Sequence, residues 1–344
     1  MVSIQEMTLA TAVSLPAPLP VTHLTPKKPV MIPEVSLSSA GARPIPLVGM
    51  GTAAYPFSPE TTKPAILHAI ELGYRHFDTA TVYQSEEPLG GAIADALKLG
   101  FISSRAELFI TSKVWCNECH PHLVLPALKR SLRALQLEYL DLYLIHLPIS
   151  SKPEGSLYPI YCEDLLPLDL KPLWEVMEEC QKLGLVKAIG VSNFSCKLIE
   201  ELLLTAKIPP AVNQVEMHPV WQQKELREFC AKKGIHVTAY SPIGGQAGEN
   251  SRNMVLECDV LKEIAKVRGK TVAQVSLRWG YEQGVSMVVK SFNKERIEEN
   301  IQIFDWELTD EELYRISLIP QSKKVTPNLM LLGQLPKSLD YDFA

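Results

Sequence analysis

The sequence has no surplus of positive charge. Its 34 Lys and Arg stand against 39 Asp and Glu, so 34 − 39 gives −5 with histidines neutral, and the cations are spread along the chain. Holding a phosphate backbone needs clustered cations, which argues against nucleic acid as a partner. Long apolar runs are missing as well: each breaks within about ten residues at a charge, Pro or Gly, short of the roughly 20 that cross a bilayer. No membrane partner is expected, and the chain reads as soluble and cytoplasmic. Cysteine is sparse and odd in number, with seven residues scattered over 344. A chain of this size folds without staples, so no disulfide framework is expected and a reducing compartment fits. Cys116-Asn117-Glu118-Cys119-His120 matches the C-x-x-C-H spacing of haem attachment, and His122 adds a possible metal ligand. No secretory-type segment supports haem and no second cysteine pair completes a zinc site, so the stretch reads as a loop with two thiols and no metal.

Residues 1 to 30 lack a helical or strand period and contain one acid, Glu6, and no Arg. Rich in Ser, Thr, Pro and Ala, they read as a disordered extension. Their hydroxyls and scarce acids suit a plastid transit peptide, but the missing arginines favour an untargeted extension.

What is present is a repeat. Hydrophobic residues make up 46% of the chain, enough for a sizeable core, and residues 31–344 are expected to form one domain. Eight short apolar runs recur: Ile45–Met50, Tyr74–Phe77, Leu108–Thr111, Leu140–Ile145, Ala188–Val191, Ala211–Val215, His236–Tyr240 and Ser286–Val289. Helical spacing fills the segments between them, as where Leu125, Leu128, Leu132 and Leu135 share one face. Gly73, Gly184, Gly234 and Gly284 stand just before a run, where a helix needs a left-handed residue to stop. Eight βα units imply parallel strands and predict a (β/α)8 TIM barrel, although an open doubly wound sheet fits the same alternation. Val30 to Pro46, with Ser39-Ala40-Gly41 at its middle, is expected to form an N-terminal hairpin plugging the barrel bottom. Polar helices are expected around Lys294–Asn300 and Thr309–Ile319, the second opened by a Thr309/Glu312 capping box. A C-terminal loop over the active site is expected to follow.

In TIM barrels, chemistry gathers at the C-terminal strand ends. Asp78, Lys113, His146, Ser192-Asn193, Gln214 and Glu216, Tyr240-Ser241 and Lys290-Ser291 stand there. Any one of them could cap a helix, be solvated or be a hydrogen-bonded core residue. An acid, a base, cations and amides converging on one mouth are harder to explain that way.

These residues also carry a family resemblance. Gly73-Tyr74-Arg75-His76-Phe77-Asp78-Thr79-Ala80 with Tyr83, then Leu142-Tyr143-Leu144-Ile145-His146, then Val289-Lys290-Ser291 with Arg296, Glu299 and Asn300, resemble the signature segments of the aldo-keto reductases. Gly190-Val191-Ser192-Asn193-Phe194 and Ile303-Phe304-Asp305-Trp306 resemble plant members that act in specialised metabolism, including alkaloid metabolism. The resemblance implies an NADPH-dependent carbonyl reductase with a catalytic tetrad of Asp78, Tyr83, Lys113 and His146. The chemistry is consistent, because a carbonyl accepting hydride develops negative charge on oxygen and needs a proton donor in a stabilising field. Lys113 is expected to lower the pKa of Tyr83, Asp78 to keep the lysine charged and oriented, and His146 to steer the carbonyl oxygen or share the proton.

Gly49-Met50-Gly51-Thr52 lacks the third glycine of a Rossmann turn, so the dinucleotide is expected to bind another way. By resemblance Tyr240 stacks on nicotinamide, and Ser192, Asn193 and Gln214 bond its carboxamide. Lys290, Ser291 and Arg296 grip the 2′-phosphate, Glu299 and Asn300 reach adenine, and Thr52, Asp78, Ser241, Ile243 and Phe292 complete the cofactor set. Two cations and a hydroxyl suit a dianion and favour NADPH over NADH. Leu147 stands where many members have Trp, and Ala53 where another aromatic is common, which widens the pocket. Tyr55, Trp115, His146, Leu147 and Trp221 are the expected substrate-binding residues, with Phe57 and the tail from Val325 as further candidates, around a bulky cyclic carbonyl bound by a monomer. Two other readings stay open: a Schiff-base barrel lyase, which needs a neutral Lys113 or Lys290, and a non-catalytic barrel acting as a regulatory subunit.

Overall fold

A computed structural model describes residues 30–54, 56–245, 252–323, 331–332 and 344. The expectations for residues 1–29, for Tyr55 and for a lid starting at Val325 fall outside these, apart from residues 331–332 and 344.

The chain enters through an antiparallel hairpin, β1 (Glu34–Val35) against β2 (Ile45–Pro46). It continues through β3 (Val48–Gly51), α1 (Pro59–Leu72), β4 (His76–Asp78), α2 (Glu86–Leu99), β5 (Phe109–Val114), α3 (Pro121–Leu135) and β6 (Leu140–Ile145). Three two-residue strands follow in one long loop, β7 (Ser150–Ser151), β8 (Ile160–Tyr161) and β9 (Leu165–Leu166), before α4 (Leu170–Lys182). The second half runs β10 (Val186–Ser192), α5 (Cys196–Leu203), β11 (Val212–Glu216), α6 (Lys224–Lys232), β12 (His236–Tyr240), α7 (Asp259–Arg268), α8 (Val272–Glu282), β13 (Ser286–Val289), α9 (Lys294–Glu299), α10 (Asp310–Ser317) and β14 (Leu331–Leu332).

Strands β3, β4, β5, β6, β10, β11, β12 and β13 are the eight apolar runs of the sequence, and every neighbour pair among them is parallel. β13 returns to pair with β3, so the sheet is a closed barrel and the open alternative is ruled out. The strands reach further than the apolar runs, which places Lys113 inside β5 and Ser192 inside β10.

Alternation along each strand sorts side chains between two cores. On β6, Leu142 and Leu144 face the barrel interior with Phe109, Ala188 and Val212, where Leu37 and Ile45 of the hairpin region close the bottom. Tyr143 and Ile145 face outward into the large core beneath the helices. Gly73 ends α1 with φ 110°, a conformation that a Cβ would strain, and lets Tyr74 turn back toward β4. The buried stripe of α3 is Val124, Leu128, Leu132 and Leu135, while Leu125 is only half-buried. Leu125 packs on the same core from the edge of the face, and Val124, a full turn before Leu128, is the fully buried residue there. The expected capping box of α10 is present, with Thr309 and Glu312 each accepting the other's backbone amide.

Where β10 crosses β11 the backbones are in contact. A Cβ on Gly190 would lie 2.5 Å from the Val212 carbonyl oxygen and 2.8 Å from Leu144 Cδ2. Backbone cannot rotate away, so Gly190→Ala is expected to destabilise the fold by about 1–3 kcal/mol, seen as a lower urea midpoint at unchanged m value. An unchanged midpoint would mean that the two strands can separate there.

Candidate active site

At the C-terminal end of the barrel, β4 and β5 bring an acid and a base into contact. Lys113 Nζ donates to Asp78 Oδ1 at 2.6 Å and to the Thr79 carbonyl at 2.9 Å. The Lys113 side chain has no exposure and that of Asp78 only 4%. Asp78 Oδ2 accepts from Gln214 Nε2 at 2.8 Å, so a residue of β11 reaches across the interior to the same carboxylate. Burial pushes the Lys113 ammonium pKa down, and Asp78 and then Glu86 pull it back up.

Tyr83 sits in the short turn after β4, with Lys113 Nζ 4.8 Å from its ring centroid. Its hydroxyl shares a 3.1 Å hydrogen bond with His146 Nε2, from the residue just past β6. The two rings meet edge to face, and Trp115 packs against the other side of the imidazole at 4.8 Å between centroids. Burial and the neighbouring Lys113 charge hold His146 well below the usual imidazole range, so it is neutral at neutral pH. The phenol departs from expectation. Burial first, then the neighbouring Asp78 carboxylate and Tyr240, push Tyr83 well above the ordinary phenol range, so the lowering expected from Lys113 does not prevail.

The polar residues of β10, β11 and β12 form a second group at the same mouth. Ser192 Oγ donates to the Gln214 carbonyl at 2.8 Å, and Tyr240 Oη donates to Asn193 Oδ1 at 2.7 Å. Asn193 Nδ2 donates to the His146 carbonyl at 3.0 Å, joining this group to the first. Asn193 and Ser241 hold φ of 64° and 51°, left-handed turns that end their strands abruptly. The amide of Ala344 donates to the Asn193 carbonyl at 3.2 Å, so the chain end reaches this mouth. Thr52 is less available than expected: fully buried, it directs its hydroxyl to the Asp78 carbonyl and to Ser85.

Past β13, Lys290 and Arg296 lie close enough that the Arg296 charge adds to burial in lowering the Lys290 pKa. Ser291 and Phe292 are half-buried beside them, as is Ile243 after β12. Asn300 is buried, and Glu299 Oε1 accepts from Thr271 Oγ1 at 2.6 Å.

Of the expected substrate residues, Trp115 and Leu147 share an apolar cluster with Cys116, Ile149, Ile160, Cys162 and Leu165 of the β7–β9 loop. Trp115 Nε1 donates to the Leu157 carbonyl at 2.8 Å and pins that loop to the wall. Trp221 instead borders a neighbouring cleft of about 510 Å³ with Ser195, Cys196, Leu226, Gln321 and Ala344. Ala53 is exposed and Phe57 half-buried. The C-x-x-C stretch is a short turn with both thiols reduced, buried and pushed up in pKa by burial. Among the described residues no group of three or more His, Cys, Asp or Glu could hold a metal ion, and no helix is long and apolar enough to cross a membrane. Sequence reading did not find the polar layer beneath Asp78 and Lys113, made by Thr79, Ser85, Glu86 and Ser112. Its only trace is Ser85-Glu86, which looks like an ordinary helix start.

A sequence model of the Aldo/keto reductase family matches residues 47–319. The 7-acetyl-epi-neemfruitin B aldo-keto reductase of Melia azedarach is 60% identical over 294 residues, 86% of this chain and 91% of that protein. The NADPH-dependent codeinone reductase 1-4 of Papaver somniferum is 55% identical over 313 residues, 91% of this chain and 97% of that one. Among solved structures, a Bombyx mori aldo-keto reductase in complex with NADP superposes with a TM-score of 0.77 at 37% identity, over 86% of this chain and 95% of that chain.

Removing one member of a buried ion pair leaves the other charge uncompensated. Asp78→Asn is expected to destabilise the fold by about 3–5 kcal/mol, measured by urea unfolding. Pairing it with Lys113→Met should restore much of that loss. A double variant as unstable as the single one would show that the ion pair is not the source.

Proposed function

The chain belongs to the aldo/keto reductase family, and on that footing we propose that it is an NADPH-dependent carbonyl reductase in which Tyr83 delivers the proton. The observation that carries this reading is the joint placement of three groups: Tyr83 within 3.1 Å of a neutral His146, its ring over Lys113, and Lys113 bonded to Asp78.

The residues fit the cofactor. Lys290 and Arg296 are two mutually repelling cations with the Ser291 hydroxyl beside them, the donor set for a dianionic phosphate. Ser192, Asn193, Gln214 and Tyr240 offer amides, a hydroxyl and a ring face around one point at the mouth. Bound there, NADPH supplies the hydride. Tyr83 holds its proton at neutral pH as a phenol does and is the donor to the carbonyl oxygen, with the Lys113 ammonium beside its ring working against the rise in pKa that burial causes. Lys113 stabilises the phenolate left behind, and Asp78 keeps Lys113 charged and aimed. His146, neutral and wedged between Tyr83 and Trp115, orients the oxygen beside the phenol. A Schiff-base role for Lys113 finds no support, since its ammonium is held by Asp78 and Thr79.

The substrate in this reading is a bulky cyclic ketone or aldehyde of plant specialised metabolism. The apolar wall of Trp115, Leu147, Ile149 and Ile160 supports it, as do relatives named for 7-acetyl-epi-neemfruitin B, (1S)-1,7-diacetoxy-luvungin A and codeinone. Residues 31–344 act in it as one cytoplasmic, monomeric reductase domain.

Tyr83→Phe keeps the ring, so the fold should survive while turnover drops at least about 100-fold and NADPH still quenches protein fluorescence. Full reductase activity in this variant would overturn the mechanism. Arg296→Ala should weaken NADPH binding by about 1.5–3 kcal/mol, the worth of hydrogen bonds to charged groups, and leave NADH nearly unchanged. Equal losses for both cofactors in a titration would place Arg296 away from the phosphate.

A further inference from the structure

Beneath the Tyr83 and Lys113 contact, on the helix side of β5, lies a buried carboxylate that the mechanism above does not use. Glu86 opens α2 and is only 7% exposed. Its Oε1 accepts from Ser112 Oγ at 2.6 Å, and Ser112 is the fully buried neighbour of Lys113. Glu86 follows Tyr83 by three residues, so this single bond fastens the segment carrying the phenol to the strand carrying the ammonium.

The same segment is held at other points. Ser85 occupies the N-cap position of α2 but makes no capping bond. Its hydroxyl instead joins Thr52 Oγ1 at 2.6 Å and Thr79 Oγ1 at 2.8 Å, and Thr52 Oγ1 donates to the Asp78 carbonyl at 2.9 Å. Thr81 Oγ1 donates to the Lys113 carbonyl at 3.4 Å. Residues 81–86 are therefore tied to β4 beside Asp78 and to β5 beside Lys113.

A carboxylate out of water needs compensation. The groups facing Glu86 are Ser112 and Lys113 from β5, Ser131 and Arg130 from α3, and Tyr143 from β6. Burial is the largest effect and holds the Glu86 carboxyl above the usual carboxylate range, while the two serine hydroxyls and then the two cations pull it part of the way down. Arg130 is shared with Glu118, while the Tyr143 hydroxyl is buried without a hydrogen-bond partner. Lys113 is the cation of the reacting cluster that Glu86 acts on: Glu86 is bonded to Ser112, the residue before Lys113, and its charge adds to that of Asp78 in favouring the ammonium.

We propose that Glu86 is a positioning residue for proton delivery: its bond to Ser112 sets Tyr83 against Lys113, and its negative charge, added to that of Asp78, holds the Lys113 ammonium. The inference rests on the reading that Tyr83 and Lys113 handle the proton.

Glu86→Gln keeps the size and the acceptor for Ser112 and removes only the charge. An anion favours the protonated form of both the ammonium and the phenol, so its loss lets either proton leave at lower pH. The alkaline limb of the kcat/KM profile, measured with NADPH and para-nitrobenzaldehyde, should move to lower pH by about one unit, the scale of a nearby charge. Glu86→Ala also opens the clamp and should slow single-turnover hydride transfer about tenfold or more, as misplacement of a reacting group does. NADPH affinity should stay within about twofold, since the cofactor contacts are elsewhere. Ser112→Ala, a milder cut of the same bond, should slow hydride transfer in the same direction and serves if Glu86→Ala does not fold. An unchanged pH profile in Glu86→Gln together with a parental hydride-transfer rate in Ser112→Ala would overturn the proposal, even if both variants melt at lower temperature. Tyr83→Phe is assayed in parallel: full activity there would bring down the functional reading and this inference with it. An inactive Tyr83→Phe beside silent Glu86 and Ser112 variants would bring down this inference alone.

Discussion

A fully buried ammonium has to be compensated where it stands, and the top of this barrel is organised around that requirement. Desolvating such an ion costs several kcal/mol, which only close, well-aimed acceptors recover. Lys113 has Asp78 Oδ1 at 2.6 Å and the Thr79 carbonyl at 2.9 Å. The other oxygen of Asp78 needs a donor of its own, and Gln214 supplies it from β11, outside the β4–β5 pair. One ion pair thus links three strands through the barrel interior. Leu37, Ile45, Phe109, Leu142 and Leu144 form an apolar cluster toward the bottom, beside a separate hydrogen-bonded set of His76, Thr111, His236, Thr238 and Ser286.

The barrel is a rigid scaffold that carries its polar cluster on the rim. Asn193 is the hinge between the two halves of the site: its side chain donates to the His146 carbonyl and accepts from Tyr240. In the proposed reaction the first contact lies on the carbonyl side and the second on the cofactor side, so a shift at one is felt at the other. The long β7–β9 loop meets this rim through Trp115, whose indole touches His146 on one face and holds the Leu157 carbonyl with its N–H.

The environment separates the protonation tendencies of neighbouring groups. Tyr83 is pushed up by burial and Asp78, and His146 is pushed down by burial and Lys113. At neutral pH this leaves a phenol that retains its proton beside an imidazole that does not take one up. In the proposed reaction the first is the proton donor and the second orients the carbonyl oxygen. The buried Glu86, bonded to Ser112 next to Lys113 and raised in pKa by burial, is a further carboxyl beside this group.

Much of this was legible in the linear chain. The eight apolar runs, the stop at Gly73 and the Thr309/Glu312 cap depend on residues within a turn or two of each other, so periodicity and capping rules report them directly. Asp78, Lys113 and His146 could be placed at one mouth because parallel strands put all their C-terminal ends on one side. Other features came from tertiary structure alone. Val124 is fully buried while Leu125 lies at the edge of the same face, since the neighbouring elements determine how far a helix is covered. The hydroxyl of Thr52 turned into the interior, the Glu86–Ser112 bond and the Lys113–Asp78 pair rest on groups 26 to 35 residues apart, the Gln214–Asp78 bond on a separation of 136, and the sign of the Tyr83 shift on burial. Local rules carry no information at such distances. Burial and Coulomb interactions exist only once the barrel has closed and water has left, so the residue types at the mouth belong to the sequence and their charge states to the fold.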